Sequence, residues 1–138
     1  MEFESKIIIN ASAEDIFKLY EDVATWSSWD PDVQSSSING EFETGAVGKL
    51  KPTRGPESKI LFSSIIKNKS FTVSSNLPLC KMIFEHELSS VKNETEVMHK
   101  VSFSGFLAPI FGRLIGRGIQ KGLPETLKGL KISVEQKS

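Results

Sequence analysis

Residues 104–131, SGFLAPIFGRLIGRGIQKGLPETLKGLK, read as one long apolar helix with Gly105 at its start and five glycines inside it: Gly112, Gly116, Gly118, Gly122 and Gly129. Leu107, Phe111, Leu114 and Ile115 make an apolar stripe at helical spacing, and Ile119, Leu123, Leu127 and Leu130 continue it. At 1.5 Å per residue, a helix from Leu107 to Lys131 reaches about 37 Å, long enough to cross a small sheet. Pro109 suits a first turn. Pro124 lacks an amide hydrogen and crowds the turn before it, so a kink or restart is expected there. Each interior glycine costs about 1 kcal/mol of helix propensity relative to alanine. That cost implies close contact with a sheet or partner, room for a ligand, or a helix that moves.

Working outward, the residues before this helix alternate with the period of two that marks strands with one buried face. Residues 3–10 form a first strand. Ser12 and Asp15 make a weak capping box ahead of Ala13, Ile16, Phe17 and Tyr20, which recur at helical spacing. A short helix over 13–20 and another turn or two over 22–26 follow. Ser27, Ser28, Asp30 and Pro31 stop any helix. Strands are then expected over 33–42, 48–53, 59–66, 70–76, 80–91 and 95–104. The clearest places Cys80, Met82, Phe84, His86 and Leu88 on one face. Lys92 and Asn93 turn the chain into a strand carrying Thr95, Val97, His99, Val101 and Phe103 on one face. Strands joined by hairpins make a curved antiparallel sheet whose concave side the last helix would close.

With 138 residues the chain is read as a single domain over 1–138. The formal net charge is zero, which argues against nucleic acid as a partner and gives no long-range pull toward an anionic membrane. Cys80 is the one cysteine, so no internal disulfide forms, which fits a reducing compartment. The opening MEFESKIII has no basic region before an apolar run and does not look like a secretory signal. The apolar run 103–119 carries Arg113 and Arg117 and is too short to span a bilayer. The expectation is a cytoplasmic protein with no stable membrane insertion.

The order strand, two helices, six strands, long helix, the segment IFKLYEDVATWSSWDP at 16–31, the glycine pair Gly45 and Gly48, and the closing helix are together similar to the START-like, or Bet v 1-like (SRPBCC), superfamily. Within it the chain most resembles the polyketide cyclase/dehydrase and lipid-transport group. The resemblance covers essentially the whole chain, with Trp-x-x-Trp-Asp-Pro at 26–31 its most recognisable part. It implies an α+β helix-grip fold, a curved sheet wrapped around the long C-terminal helix. It also implies a cavity for a lipid, sterol, polyketide or quinone-like molecule. No catalytic motif is common to the superfamily, so no catalytic residue, cofactor or metal follows from it.

The candidate ligand-binding residues are Trp26, Trp29, Phe62, Phe84, His86, His99, Phe111, Leu114 and Ile115. His86 and His99 fall on the inner faces of consecutive strands, as diagonal neighbours, where an imidazole orients a carbonyl or hydroxyl or moves a proton. Trp26 and Trp29 divide between packing the short helices and touching a ligand. The apolar residues carry a signature that core and cavity share. The function expected is binding of a small hydrophobic or amphipathic molecule in an internal cavity. The alternatives are a polyketide cyclase or dehydratase, and a non-catalytic interaction module whose outer surface binds protein or mediates homodimerisation.

Overall fold

Alternation of apolar and polar residues builds the sheet that the rest of the chain fills. The computed structural model describes residues 1–136; the last two residues of the domain expected over 1–138 lie outside the described residues. The elements are β1 (Glu2–Ile9), α1 (Ala13–Glu21), a 3-10 helix (Val23–Ser28), β2 (Val33–Asn39), β3 (Val47–Pro52), β4 (Ser58–Ile66), β5 (Ser70–Leu77), β6 (Cys80–Val91), β7 (Glu94–Ser104) and α2 (Ala108–Gln136). Ser12 caps α1, its hydroxyl accepting from the Asp15 amide at 3.1 Å. The strands form one antiparallel sheet of seven in the order β1-β7-β6-β5-β4-β3-β2. Irregularities between Val33 and Ser35 and between Phe62 and Ser64 add to its bend. This is the helix-grip fold, a curved antiparallel sheet wrapped around a long C-terminal helix.

The final helix departs from expectation at both ends and in the middle. Ser104 pairs in β7, and Gly105 turns the chain at φ +109°, so α2 begins at Ala108. A side chain at Gly105 would also meet the Leu79 carbonyl, which accepts the Leu107 amide at 3.0 Å. At the other end the helix runs on to Gln136. It passes through Pro124 without a restart. Gln120 and Pro124 both lie on the exposed side, where water reaches the carbonyl that the proline leaves unbonded. Leu114 does not belong to the sheet-facing stripe. It is 75% exposed, because it sits a hundred degrees or so from Ile115 on the helix surface.

Four of the five helix glycines are contact points. A Cβ at Gly112 would run into Met1, at Gly116 into the Phe3 ring, at Gly122 into the Asp32 carboxylate and at Gly129 into the Trp29 carbonyl. Thr126, between the last two, donates its hydroxyl to Asp30 Oδ1 at 2.9 Å. Residues 29–32 therefore seat in a notch on the second half of α2. Asp30 Oδ1 also accepts the Asp32 amide at 2.9 Å, which fixes the turn expected at Asp30-Pro31. Near the end of α2, Glu135 accepts the Asn10 amide at 2.8 Å, and Lys131 donates to the Ile8 carbonyl at 3.1 Å.

Among the described residues, nothing lies within 4 Å of a Cβ added at Gly118. Gly118→Ala should therefore raise stability by about 1 kcal/mol, through helix propensity alone. Gly129→Ala should lower it by about 2 kcal/mol or more, since a backbone carbonyl cannot yield. Thermal unfolding followed by circular dichroism checks both: the melting temperatures should move in opposite directions.

Candidate functional site

Two apolar clusters lie between sheet and helices, and they are packed differently. Among the described residues the larger has eighteen buried members, including Ile16, Phe17, Tyr20, Trp26, Phe62, Phe71 and Leu130, with nine partly buried residues around them. The smaller, under the first half of α2, reverses the proportion. Only Cys80, Val101, Phe103 and Ala108 are buried, against nine partly buried side chains, among them Met82, Phe84, Phe111, Ile115, Ile119 and Leu123. These residues of β6 and the first half of α2 pack against that cluster yet keep accessible surface. Leu127, Leu130 and Val134, further along the same helix face, are fully packed. The sheet-facing side of the helix is thus fully packed along its second half and only partly buried along its first. Phe84 packs against both clusters and marks their boundary.

At that boundary lies a polar group of aromatic side chains. His86 and His99 are direct cross-strand partners, not diagonal ones, with ring centroids 4.6 Å apart and planes at 77°. The reason is arithmetic. A two-residue turn at Lys92-Asn93 pairs Val91 with Glu94, and counting back from it sets 86 against 99. The Tyr20 hydroxyl lies 2.8 Å from His99 Nε2, and the bond is buried. His86 stacks on Phe71, centroids 3.8 Å apart and planes 2° from parallel. Its Nδ1 lies 3.0 Å from the Phe71 carbonyl. A carbonyl only accepts, so Nδ1 carries the proton and Nε2 of the neutral ring is left as an acceptor. Trp29 lies beside Tyr20 with centroids 6.0 Å apart, and its buried indole N–H has no hydrogen-bond partner among the described residues. Such a donor is rare and costly unless water or a ligand meets it.

Burial sets the protonation of the group. Desolvation pulls the His86 pKa down to about 4, against a smaller upward effect of the Phe71 carbonyl. Desolvation and then the neighbouring His86 hold His99 well below the usual histidine range. Desolvation pushes the Tyr20 phenol above its ordinary range. At neutral pH both imidazoles are uncharged and the phenol is intact, so the site offers hydrogen bonds and no formal charge. Asp30, beneath it in the notch, is pushed up to about 6 by burial, partly offset by its bonds from Asp32 and Thr126.

Of the residues singled out from the sequence, the fold gathers Trp29, His86 and His99 around Tyr20, and places Phe84, Phe111 and Ile115 in the smaller apolar cluster. Trp26 is anchored elsewhere. Its indole donates to the Tyr20 carbonyl at 3.0 Å and its ring packs on Phe62 and Phe71, so both Trp26 and Phe62 are interior scaffold. Leu114 points away from the sheet. The sequence reading passed over Tyr20 as a site residue. Its signal was available: it is the one tyrosine, on the apolar stripe of α1, and a buried phenol needs a hydrogen-bond partner.

Two open recesses also mark the surface. One of about 670 Å³ lies on the outer face of the sheet, lined by Lys49, Lys59, Leu61 and Lys81 among others. The other, of about 390 Å³, lies between β1 and α2, lined by Phe3, Gly112, Arg113, Arg117 and Gln120. Neither recess is lined by His86 or His99.

Residues 1–135 match the sequence model of the family described as polyketide cyclase / dehydrase and lipid transport. The chain belongs to that family. No curated protein sequence matches this polyketide cyclase/dehydrase-family chain. Its fold is shared with solved structures at low identity. A Mesorhizobium loti protein superposes with a TM-score of 0.81 at 15% identity, covering 100% of this chain and 99% of the other. A START superfamily protein from Mycobacterium smegmatis gives 0.76 at 17%, covering 99% of both. The di-domain ARO/CYC StfQ from the steffimycin biosynthetic pathway gives 0.80 at 11%, covering 99% of this chain and 51% of that one. At these identities the likeness shows the fold of the family.

The buried groups make stability depend on pH in a definite way. Each histidine has a folded pKa below its unfolded value near 6.5. Its contribution is present above that value and is lost as the pH falls, at about 1.4 kcal/mol per pH unit. Asp30 acts oppositely: its raised pKa contributes stability that is present below the unfolded carboxylate value and is lost as the pH rises through about 6. Stability should therefore drop steeply just below pH 6.5 and less steeply below 6, where Asp30 offsets one histidine. His86→Phe keeps the stack on Phe71 and removes one titrating group. Denaturant unfolding at stepped pH should then give a nearly flat profile between pH 6 and 5.

Proposed function

We propose that the chain binds an elongated apolar molecule bearing a hydroxyl group, in the space between β6 and the first half of α2. The observation that carries the reading is the cluster of inward-facing but incompletely buried side chains there, which a well-packed core would not contain. Met82, Phe84, Phe111, Ile115, Ile119 and Leu123 would supply apolar contact. With Nδ1 bonded to the Phe71 carbonyl, His86 Nε2 would accept a hydrogen bond from the ligand, and the Trp29 N–H would donate one. A hydroxyl does both, and a neutral site suits it better than a carboxylate, whose charge would go uncompensated at this depth. The Tyr20–His99 bond would hold the two strands and α1 in register behind it. Lipid transport appears in the family's description, and an uncharged hydroxylated lipid or polyketide is the ligand class that this lining fits.

The test is uptake of cis-parinaryl alcohol and cis-parinaric acid, read by their fluorescence. The alcohol should bind more tightly than the acid. Ile115→Trp, which fills the space, should weaken both by about ten-fold, in line with the loss of one well-fitting apolar contact set. It should leave the circular dichroism spectrum unchanged. If neither probe binds, and native mass spectrometry of protein from its own host detects no bound compound, the reading is wrong.

A further inference from the structure

Leu114, misplaced by the sequence reading, belongs to a surface that the interior does not use. Phe106, Ile110 and Leu114 recur every four residues across the start of α2, and they are 83%, 53% and 75% exposed. Leu79, at the tip of the β5–β6 hairpin, is 68% exposed, and its carbonyl holds the Leu107 amide at 3.0 Å. The hairpin tip and the helix start thus form one continuous apolar surface, larger than scattered exposed residues would make. Leu79 is doubly costly where it stands. It has φ +51° in a tight turn, where asparagine or glycine fits better, and its side chain is in water. Folding does not account for a leucine there.

The charges around this surface have one sign. Arg113, Arg117 and Lys121 follow the apolar ridge at four-residue spacing, and all three are exposed. Lys81 is exposed two residues beyond Leu79. No Asp or Glu occurs between 105 and 124, nor between 77 and 84. Among the described residues, none of the ion pairs involves Arg113, Arg117 or Lys121. Glu2 and Glu4, the nearest acids along β1, alternate with Phe3 and act on Lys100 instead. Arg113 and Arg117 also line the recess of about 390 Å³ floored by Phe3, a slot open to an anionic group. The zero net charge thus conceals a local cationic and apolar face.

We propose that this face docks on an anionic lipid bilayer, with Leu79, Phe106, Ile110 and Leu114 entering the headgroup region and Arg113, Arg117 and Lys121 on the lipid phosphates. An apolar ridge flanked by cations is what an interfacial helix requires. A two-fold contact with a second copy fits less well, because the patch would bring its cations against their own copies with no carboxylate between. No helix among the described residues is long and apolar enough to cross a membrane, so the contact is peripheral. The proposal stands whatever occupies the interior.

The test is co-sedimentation of the full chain with phosphatidylcholine vesicles, with and without phosphatidylglycerol. The wild type should bind the anionic vesicles, bind the neutral ones weakly, and lose binding as salt is raised. Leu114→Gln should weaken binding by about ten-fold. Arg113→Gln combined with Arg117→Gln should remove most of the preference for phosphatidylglycerol, about five-fold for each cation. Leu79→Asn separates docking from folding: it should raise the melting temperature while weakening vesicle binding. Wild-type protein that ignores anionic vesicles would overturn the proposal. So would Leu79→Asn and Leu114→Gln variants that bind as well as wild type. Sedimentation velocity showing a dimer that Leu114→Gln dissociates would assign the face to a second copy instead.

Discussion

The docking of residues 29–32 into the notch of α2 governs the rest of the molecule. Gly122 and Gly129 are bare where Asp32 and the Trp29 carbonyl come against the helix, and Thr126 between them bonds to Asp30. This seat draws the second half of α2 onto the core, where Leu127 and Leu130 are almost fully buried. It also fixes Trp29 beside Tyr20, and Tyr20 in turn bonds to His99 across the sheet. The first half of the helix has a different support. There Gly112 and Gly116 rest on Met1 and Phe3 of the edge strand, well to one side of β6. The side chains that this half of the helix turns toward the smaller cluster stay half-buried, unlike those of the second half.

The same seat has an electrostatic cost. Asp30 is buried deeply enough to raise its pKa, although two hydrogen bonds favour its charged form. A buried carboxylate is kept for geometry more readily than for stability. Here the geometry is the junction of the Trp26–Asp30 turn with the helix. The histidine pair presents the complementary case. Both imidazoles are held neutral, so the interior offers oriented donors and acceptors without charge, a lining matched to uncharged polar groups on an apolar body.

Much of the fold was legible because period-two and helical alternation are local properties of the chain. The span of β6 was read to the residue, and every strand was found in order within a few residues. The Ser12 cap and the Lys92-Asn93 turn follow from residue chemistry within a few positions of each other. The site was less legible. Of the residues singled out, Trp29, His86 and His99 gather around Tyr20, while Phe111 and Ile115 pack with Phe84 in the smaller cluster. Trp26 and Phe62 proved to be scaffold, because an inward apolar residue looks the same in sequence whether it meets a side chain or a space. Leu114 was misassigned because a run of apolar residues on α2 is broader than one face, and only the sheet's position selects which part of it is buried.

The sequence by itself determined the order of elements and the faces of the strands, and so put His86 and His99 inward on consecutive strands, since each strand's inward face follows from its pattern; the pairing across the turn then set them directly opposite rather than diagonal. Tertiary structure decided what the helix glycines do. Their cost in propensity is local, but the Trp29 carbonyl and the Phe3 ring that they admit come from about a hundred residues away. It also decided that Asp30 and Thr126 meet, that Tyr20 closes on His99, and that Leu114 faces outward. Each of these depends on where two rigid surfaces come to rest against each other, a long-range packing outcome that no periodicity within one segment encodes.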